Sequence, residues 1–411
     1  MSSYSQNVLL ASGDRIPVDI SKSIYDVDVA HVTEWIDNNY TSSRWRIYVL
    51  YPDETINYEI PPEDIQLGGD YSENYQDGSR RSLSFSLNNE TGKYSVNINV
   101  FWAGTRLRLD RGIELNDNTV IWFQSGIFVV SQAQDSLQPA QKTVQITAKD
   151  KFSLFEDKTG TLEMGYEVPV GSDIEKVIQD ILLFSTGSGA PFDSRPIIIH
   201  SRLKGKKTQM TISKSAGDTF GSILLELATQ LSAEIFYNAT GNLTLIPTDE
   251  VSLDVDKPTL YSYDADHGDI SGLNLSYDMS SIINRVIVVG SSLTGGVVTA
   301  TAVVDDTGSP LCYQRIGYRT GSVINDSNIT TQYLAEERAQ YELRKQLILK
   351  TSTSLTVLFN PLLSVNNLIT ITSEYYGLDH AKFLIQSISC SLDYSGTMSI
   401  SVSNIKNLPL I

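Results

Sequence analysis

The sequence predicts a mainly β protein of the α+β class: two antiparallel β-barrel domains flank a small α/β domain, and a helix is inserted in the second barrel. Three observations predict it. From Arg80 to Leu154 apolar and polar residues alternate in blocks joined by Gly, Asn and Asp, the period-two pattern of half-buried strands. Between about 158 and 250 the apolar spacing becomes helical, and from about 251 the alternation returns. The 411 residues also exceed what one ordinary core holds, so several domains are expected.

Residues 1–43 read as an N-terminal extension whose short apolar runs (VLLA, IPVDI, VDVAHV) could add a strand to a neighbour or to another copy. The first β domain spans 44–157. WRIYVLYP is its first strand and the ETINYEI run is the hairpin partner. Pro61-Pro62 ends that ladder because proline has no N–H to donate. Asp70 to Arg81 reads as a polar loop. Beyond it Leu83, Phe85 and Leu87 share one face, as do Leu107 with Leu109, Ile127 with Val129, and Val144 with Ile146.

The α/β domain spans 158–250. Ser172 and Glu175 form a capping box before a helix that carries Ile174, Val177, Ile178, Ile181 and Leu182. The loop STGSGAP leads to the strand RPIIIH and to a basic loop with Arg202, Lys204, Lys206 and Lys207. Asp218 is placed to cap a second helix through Phe220, Ile223, Leu224, Leu227 and Leu231, and a hairpin turning at Thr240-Gly241-Asn242 follows. The second β domain, 251–411, opens with the strands SIINRVIVVGSS and GGVVTATAVV. A helix at about 328–350, with Ala335, Ala339, Leu343 and Leu347 at four-residue spacing, interrupts it. The strands resume in STSLTVLF, NNLITIT, AKFLIQSISCSL and TMSISVSNI.

A net charge of −17 argues against a protein that grips nucleic acid by its phosphates. Carboxylates facing a pore would let DNA slide without sticking, and a surface kept soluble by charge accounts for the acidity equally well. The chain has no run of eighteen apolar residues, and MSSYSQN lacks the order of a secretory signal. Cys312 and Cys390, both in strand-like runs, read as buried thiols of a reducing compartment.

Chemical motifs are missing or incomplete. Around KGKKT, His200 and Lys207 stand where a phosphate-binding loop needs Gly and Ser or Thr. Asp264, Asp266 and Asp269 offer oxygens for a cation, but Asp269 occupies the place where a calcium loop needs Gly. The competing reading is a turn bonded to its own backbone. His31, His200, His267 and His380 stand singly, and there is no Gly-x-Ser-x-Gly elbow. A carboxylate pair stays open in a chain with 48 acidic residues. The expectation is a protein without enzymatic activity, cofactor or metal.

The order of the blocks resembles the first barrel of tailed-bacteriophage baseplate or tail-tip hub proteins. The residues that carry it are a strand ending in LNN-x-TGKYS, a GTRLRL strand followed by RGI, GIFVV, and TVQITAKDKFSLF. SIINRVIVVG is similar to the family's Asn-x-Val-x-Val-x-Gly strand through Asn284, Val286, Val288 and Gly290, and the resemblance covers roughly 44–405. It implies a structural virion protein, assembled in the host cytoplasm. Three copies would form a ring that joins a six-fold tail tube to a three-fold central spike or tip and lets DNA pass. Implied partners are further copies, the tube protein, the spike and other baseplate proteins.

On this resemblance the contact residues are regional. Asp70, Tyr71, Tyr75, Arg80 and Arg81, with Arg106 and Arg108 of GTRLRL, would face the tube or an adjacent subunit. Tyr71, Tyr75 and Tyr94 fit rim packing as well as an interface. Arg202, Lys204, Lys206 and Lys207 would meet a baseplate partner or stay solvated. Leu408, Leu410 and Ile411 would enter a groove of the spike or tuck onto their own barrel. Two other classes remain open: a peripheral carbohydrate- or receptor-binding tail protein, and a tail-associated cell-wall hydrolase.

Overall fold

The computed structural model describes residues 4–9, 15–20, 29–38, 40–76, 78–95, 104–138, 141–185, 190–247, 259–268, 270–276, 282–292, 296–326, 329–350, 352–394 and 396–404. The N-terminal region holds the hairpin β1 (Tyr4–Leu9) and β2 (Arg15–Ile20), then α1 (Val29–Asn38). Seven strands follow: β3 (Tyr40–Leu50), β4 (Ile56–Glu59), β5 (Ile65–Asn74), β6 (Arg81–Asn88), β7 (Arg106–Leu115), β8 (Val120–Gln138) and β9 (Gln141–Asp150). The short α2 (Ser153–Glu156) leads into β10 (Tyr166–Val168), α3 (Ile174–Leu182), β11 (Ile198–Ile199), β12 (Ile212–Lys214), α4 (Phe220–Gln230), β13 (Ala233–Tyr237) and β14 (Leu243–Pro247). The rest comprises β15 (Tyr261–Asp264), β16 (Ile270–Ser276), β17 (Arg285–Ser291), β18 (Val297–Val303), α5 (Tyr313–Ile316), β19 (Ile324–Asn325), α6 (Gln332–Lys350), β20 (Ser352–Leu358), β21 (Leu368–Ser373), β22 (Leu378–Leu392) and β23 (Thr397–Asn404).

The protein is β-rich, as the alternation predicts, but its two β stretches are continuous with each other. A 15-stranded sheet runs β16-β20-β23-β22-β5-β6-β9-β8-β7-β3-β4, with β21 and then β15 added at β22, and β2 and then β1 added at β8. Strand pairing among the described residues ends at β4 and β16, so the path is open. The weld between the halves is the antiparallel pair β5–β22, in register from Asn74↔Ser387 to Gly69↔Leu392. One apolar core spans both halves, from Leu83 and Phe85 of β6 to Phe383 and Ile388 of β22 and Ile400 of β23. Asp70 through Asn74 are therefore strand rather than loop, because a second sheet edge is available to pair with them. The N-terminal extension is likewise used within the chain: β2 pairs β8 at Val18↔Phe123 and Ile20↔Ile121.

Leu83, Phe85, Leu87, Leu107, Leu109, Val144 and Ile146 all enter this core. On β8 it is Phe128 and Val130 that do so, while Ile127 and Val129 are buried on the other face. The α/β unit covers that face, where Ile127 packs against Gly241 of the β13–β14 hairpin.

A second core belongs to the α/β unit and joins Ile178 and Ile181 of α3 to Leu224 and Leu227 of α4 and Ile235 of β13. Both helix starts lie one residue from the predicted cap. Asp173 accepts from the Lys176 N–H, and Thr219 accepts from the Ser222 N–H, whereas Asp218 bonds back to Ser215. The hairpin closes as expected, with Gly241 at φ +83°.

The third core packs a separate small sheet and a helix against Leu368 of β21 and Leu384 of β22. β17 pairs with both β18 and β19 in a separate three-stranded sheet, so the interruption is larger than a helix alone. Ala335, Ala339 and Leu343 of α6 pack there on Val286, Val288, Ala300 and Ala302. Small residues on both sides let helix and sheet approach closely. Cys390 lies in β22, but Cys312 precedes α5 instead of sitting in a strand; both thiols are buried and unpaired.

The Gly290 position of the Asn-x-Val-x-Val-x-Gly pattern has a steric cause. A Cβ there would sit 2.2 Å from the carbonyl oxygen of Ile329 and 2.9 Å from its Cβ. Gly290→Ala is expected to destabilise the fold by about 1–3 kcal/mol through forced backbone displacement. Urea denaturation followed by circular dichroism checks this, and an unchanged midpoint would contradict it.

Candidate assembly surfaces and the charged junction

Where the three cores meet, charged side chains are taken out of water. The turn after β3 supplies Glu54, β5 supplies Glu73, the loop into β6 supplies Arg80, β6 itself begins with Arg81, and the end of β9 supplies Asp150 and Lys151. The α/β unit adds Asp193, Arg195, Glu234 and Tyr237, and the loop before β21 adds Ser364 and Asn366. Arg80 reaches Glu234 at 2.6 Å and Arg81 reaches Glu73 at 2.6 Å. Lys151 bridges Glu54 at 2.5 Å and Asp193 at 2.6 Å, and Glu54 also holds Arg195 at 2.6 Å and Arg106 at 3.0 Å.

The remaining hydrogen-bonding capacity is largely used as well. The Tyr75 hydroxyl donates to Glu234 at 2.8 Å, as does the Asn366 amide at 3.2 Å. Asp150 accepts the backbone N–H groups of Arg80 and Arg81 at 2.7 and 2.9 Å. Arg81 donates to the Tyr237 carbonyl, and the Tyr237 hydroxyl donates to Asp193 at 3.0 Å, so the Arg81 and Lys151 clusters form one network.

Burial sets the titration of these groups. It pulls the Lys151 ammonium below its usual range despite the two carboxylates that oppose the shift. It pushes the Asp150 carboxyl up against the N–H groups that bond it, and it raises the Tyr237 hydroxyl, with Asp193 adding to that rise. Glu156 is exposed as a whole, but its carboxyl lies beneath Gly78 and its Cγ beside Gly221. Burial and then the charge of Asp150 push it up to about 7.

The contact residues expected from sequence separate into two groups. Tyr71, Tyr75, Arg80 and Arg81 are buried within the chain, because sheet pairing and the junction consume them. Tyr94 is buried too, its hydroxyl on Asp64. Arg106 is partly buried and bound to Glu54 and to the carbonyls of Pro52 and Phe192. Arg108 shares Asp110 with Arg46 on the outer face of β3 and β7, where the Arg46 guanidinium lies 4.3 Å from the Trp122 ring and 5.2 Å from that of Tyr48.

Asp70, Arg202, Lys204, Lys206 and Lys207 are exposed. Arg202 and Lys206 line a groove between the α/β unit and α6, opposite Tyr333, Glu337 and Tyr341. Leu408, Leu410 and Ile411 lie outside the described residues.

The acidic turn behaves as a local structure. Asp264 accepts from the Asp266 N–H and from His267, while Asp266 accepts from the Glu374 N–H; Asp269 lies outside the described residues. Among the described residues no three His, Cys, Asp or Glu side chains cluster as metal ligands, and no helix is long and apolar enough to cross a membrane.

The sequence matches no protein-family model and no curated protein. Solved structures share its fold. The tail protein from Neisseria meningitidis MC58 superposes with a TM-score of 0.61 at 10% identity, over 89% of this chain and 99% of that one. The 43 kDa tail protein of prophage MuSo2 from Shewanella oneidensis gives 0.57 at 17% identity, over 90% and 100%. A chain of the Francisella PdpA–VgrG complex gives 0.51 at 11% identity, over 89% of this chain and 53% of its own length. The chain thus has the fold of these tail proteins.

Removing one partner of a buried ion pair strands the other charge. Glu234→Gln, which leaves Arg80 without its carboxylate, is expected to cost about 3–5 kcal/mol, whereas Lys204→Gln on the exposed loop should stay within about 0.5 kcal/mol. Chemical denaturation of both variants checks the contrast. Glu156 predicts a pH effect with a definite sign. Its folded value of about 7 lies above the 4.5 of a free side chain, so the native state holds that proton more tightly. The contribution is complete below about pH 4.5 and is lost as pH rises through about 7. Glu156→Gln should therefore raise Tm at pH 8 and flatten the decline between pH 5 and 8 relative to the unsubstituted chain, measured by thermal melts.

Proposed function

We propose that the chain is a structural hub of a phage-type tail. Three copies form a ring that joins a six-fold tube to a three-fold spike or tip and leaves an axial passage for DNA. The observation that carries this reading is the extent of the fold correspondence: about nine-tenths of the chain superposes on essentially the full length of two tail proteins. The role is one of shape and contact, without a catalytic step.

The architecture supports the symmetry. Each chain contributes two β stretches welded through β5 and β22, so three copies supply six related sheet regions to a six-fold neighbour. Acidic groups on the passage would repel a phosphate backbone and keep it moving. Asp70 and the Arg202–Lys207 loop are the exposed members of the expected contact set and would meet neighbouring tail proteins.

Light scattering on the purified protein tests stoichiometry. A mass three times the 45.5 kDa of one chain is expected. A monomer at all concentrations, with copies bound at the periphery of isolated tails, would contradict the hub and favour a receptor-binding role.

A further inference from the structure

The loop between β18 and β19 is clamped by a residue that sequence similarity alone leaves without a job. Asn284 is fully buried. Its amide donates to the carbonyls of Leu311 and Gly317 at 3.0 and 2.9 Å, and its side-chain oxygen accepts the Arg319 N–H at 2.7 Å. The Arg319 carbonyl in turn accepts the N–H groups of Asn284 and Arg285. Held this way, the rings of Tyr313 and Tyr318 stack with centroids 4.8 Å apart and planes 3° from parallel, and the Arg285 guanidinium lies 5.0 Å from the Tyr318 ring. Tyr318 is 58% exposed, and Arg315 and Arg319 are exposed beside it. Among the described residues no carboxylate lies within ion-pair distance of Arg285 or Arg315.

A second exposed feature has the opposite charge. The tip between β21 and β22 carries Glu374, Tyr375, Tyr376 and Asp379, all exposed, with the two rings perpendicular at 4.8 Å. Asp266 holds this tip by accepting the Glu374 N–H at 2.7 Å.

We propose that the Tyr313–Arg319 surface of one copy docks on the Glu374–Asp379 tip of the next. This rests on the ring reading above and specifies its contact. A closed ring of three copies needs two different, complementary patches on each chain. In a chain of net charge −17, copies repel one another except where a cationic patch meets an acidic one. Tyr and Arg are the side chains that most often carry contact energy, and the Asn284 clamp presents them already ordered, which lowers the entropy lost on docking.

Charge reversal tests the pairing in the full chain. Arg315→Glu with Arg319→Glu, and separately Glu374→Arg with Asp379→Arg, should each weaken association by on the order of tenfold or more, with Tm and circular dichroism unchanged. All four substitutions together should restore it. Arg315→Ala with Arg319→Ala serves as a milder second variant. If the unsubstituted chain forms the trimer and the reversed variants form it equally well, this contact is wrong while the hub reading stands. An unsubstituted chain that never associates overturns both. Variants that lose affinity for duplex DNA while keeping the trimer would assign the patch to nucleic acid and overturn the protein contact.

Discussion

The structure depends on a constraint at its centre: five carboxylates and three cations are buried where three apolar cores converge, and Arg106 and Arg195 close the network from its partly exposed rim. Glu54, Glu73, Asp150, Asp193 and Glu234 face Arg80, Arg81, Lys151, Arg106 and Arg195. A buried pair is a weak source of net stability, because desolvation offsets most of the attraction. Its asymmetry matters more. Displacement of one unit against another separates these buried charges, so the network favours one relative placement of the units. We regard the junction as the device that specifies geometry, while the apolar cores supply the stabilisation.

A specified geometry would suit the hub role proposed above. The β5–β22 weld makes the two β stretches one sheet, and the junction ties the α/β unit to that sheet through β13. The surfaces proposed for contact, the Tyr318 patch and the β21–β22 tip, would then be carried on an already ordered frame, which would lower the entropic cost of association.

Much of this was legible in the sequence. Alternation located β3, β6, β7 and β9, helical spacing located α3, α4 and α6, and the resemblance anticipated the fold found in the tail proteins. What could not be read was long-range. Asp70 to Asn74 look like loop because their polar alternation is that of an edge, and only β22 makes them a central strand. Arg80 and Arg81 look like surface, since nothing local announces Glu234, 154 positions away from Arg80. The caps fell one residue off because Asp173 and Thr219 are as suitable chemically as Ser172 and Asp218, and packing chooses between them. Asn284 and Gly290 stood out as a pattern, yet their reasons, a clamp on 311–319 and the approach of Ile329, required coordinates.

The hub role proposed above places this frame on the axis of a tail. Cryo-electron microscopy of assembled particles tests it most directly. A hub requires density for three copies of the chain around the axis, continuous with the tube on one side and with a three-fold spike or tip on the other. Density for the chain only at the periphery, or in a number unrelated to three, would contradict it.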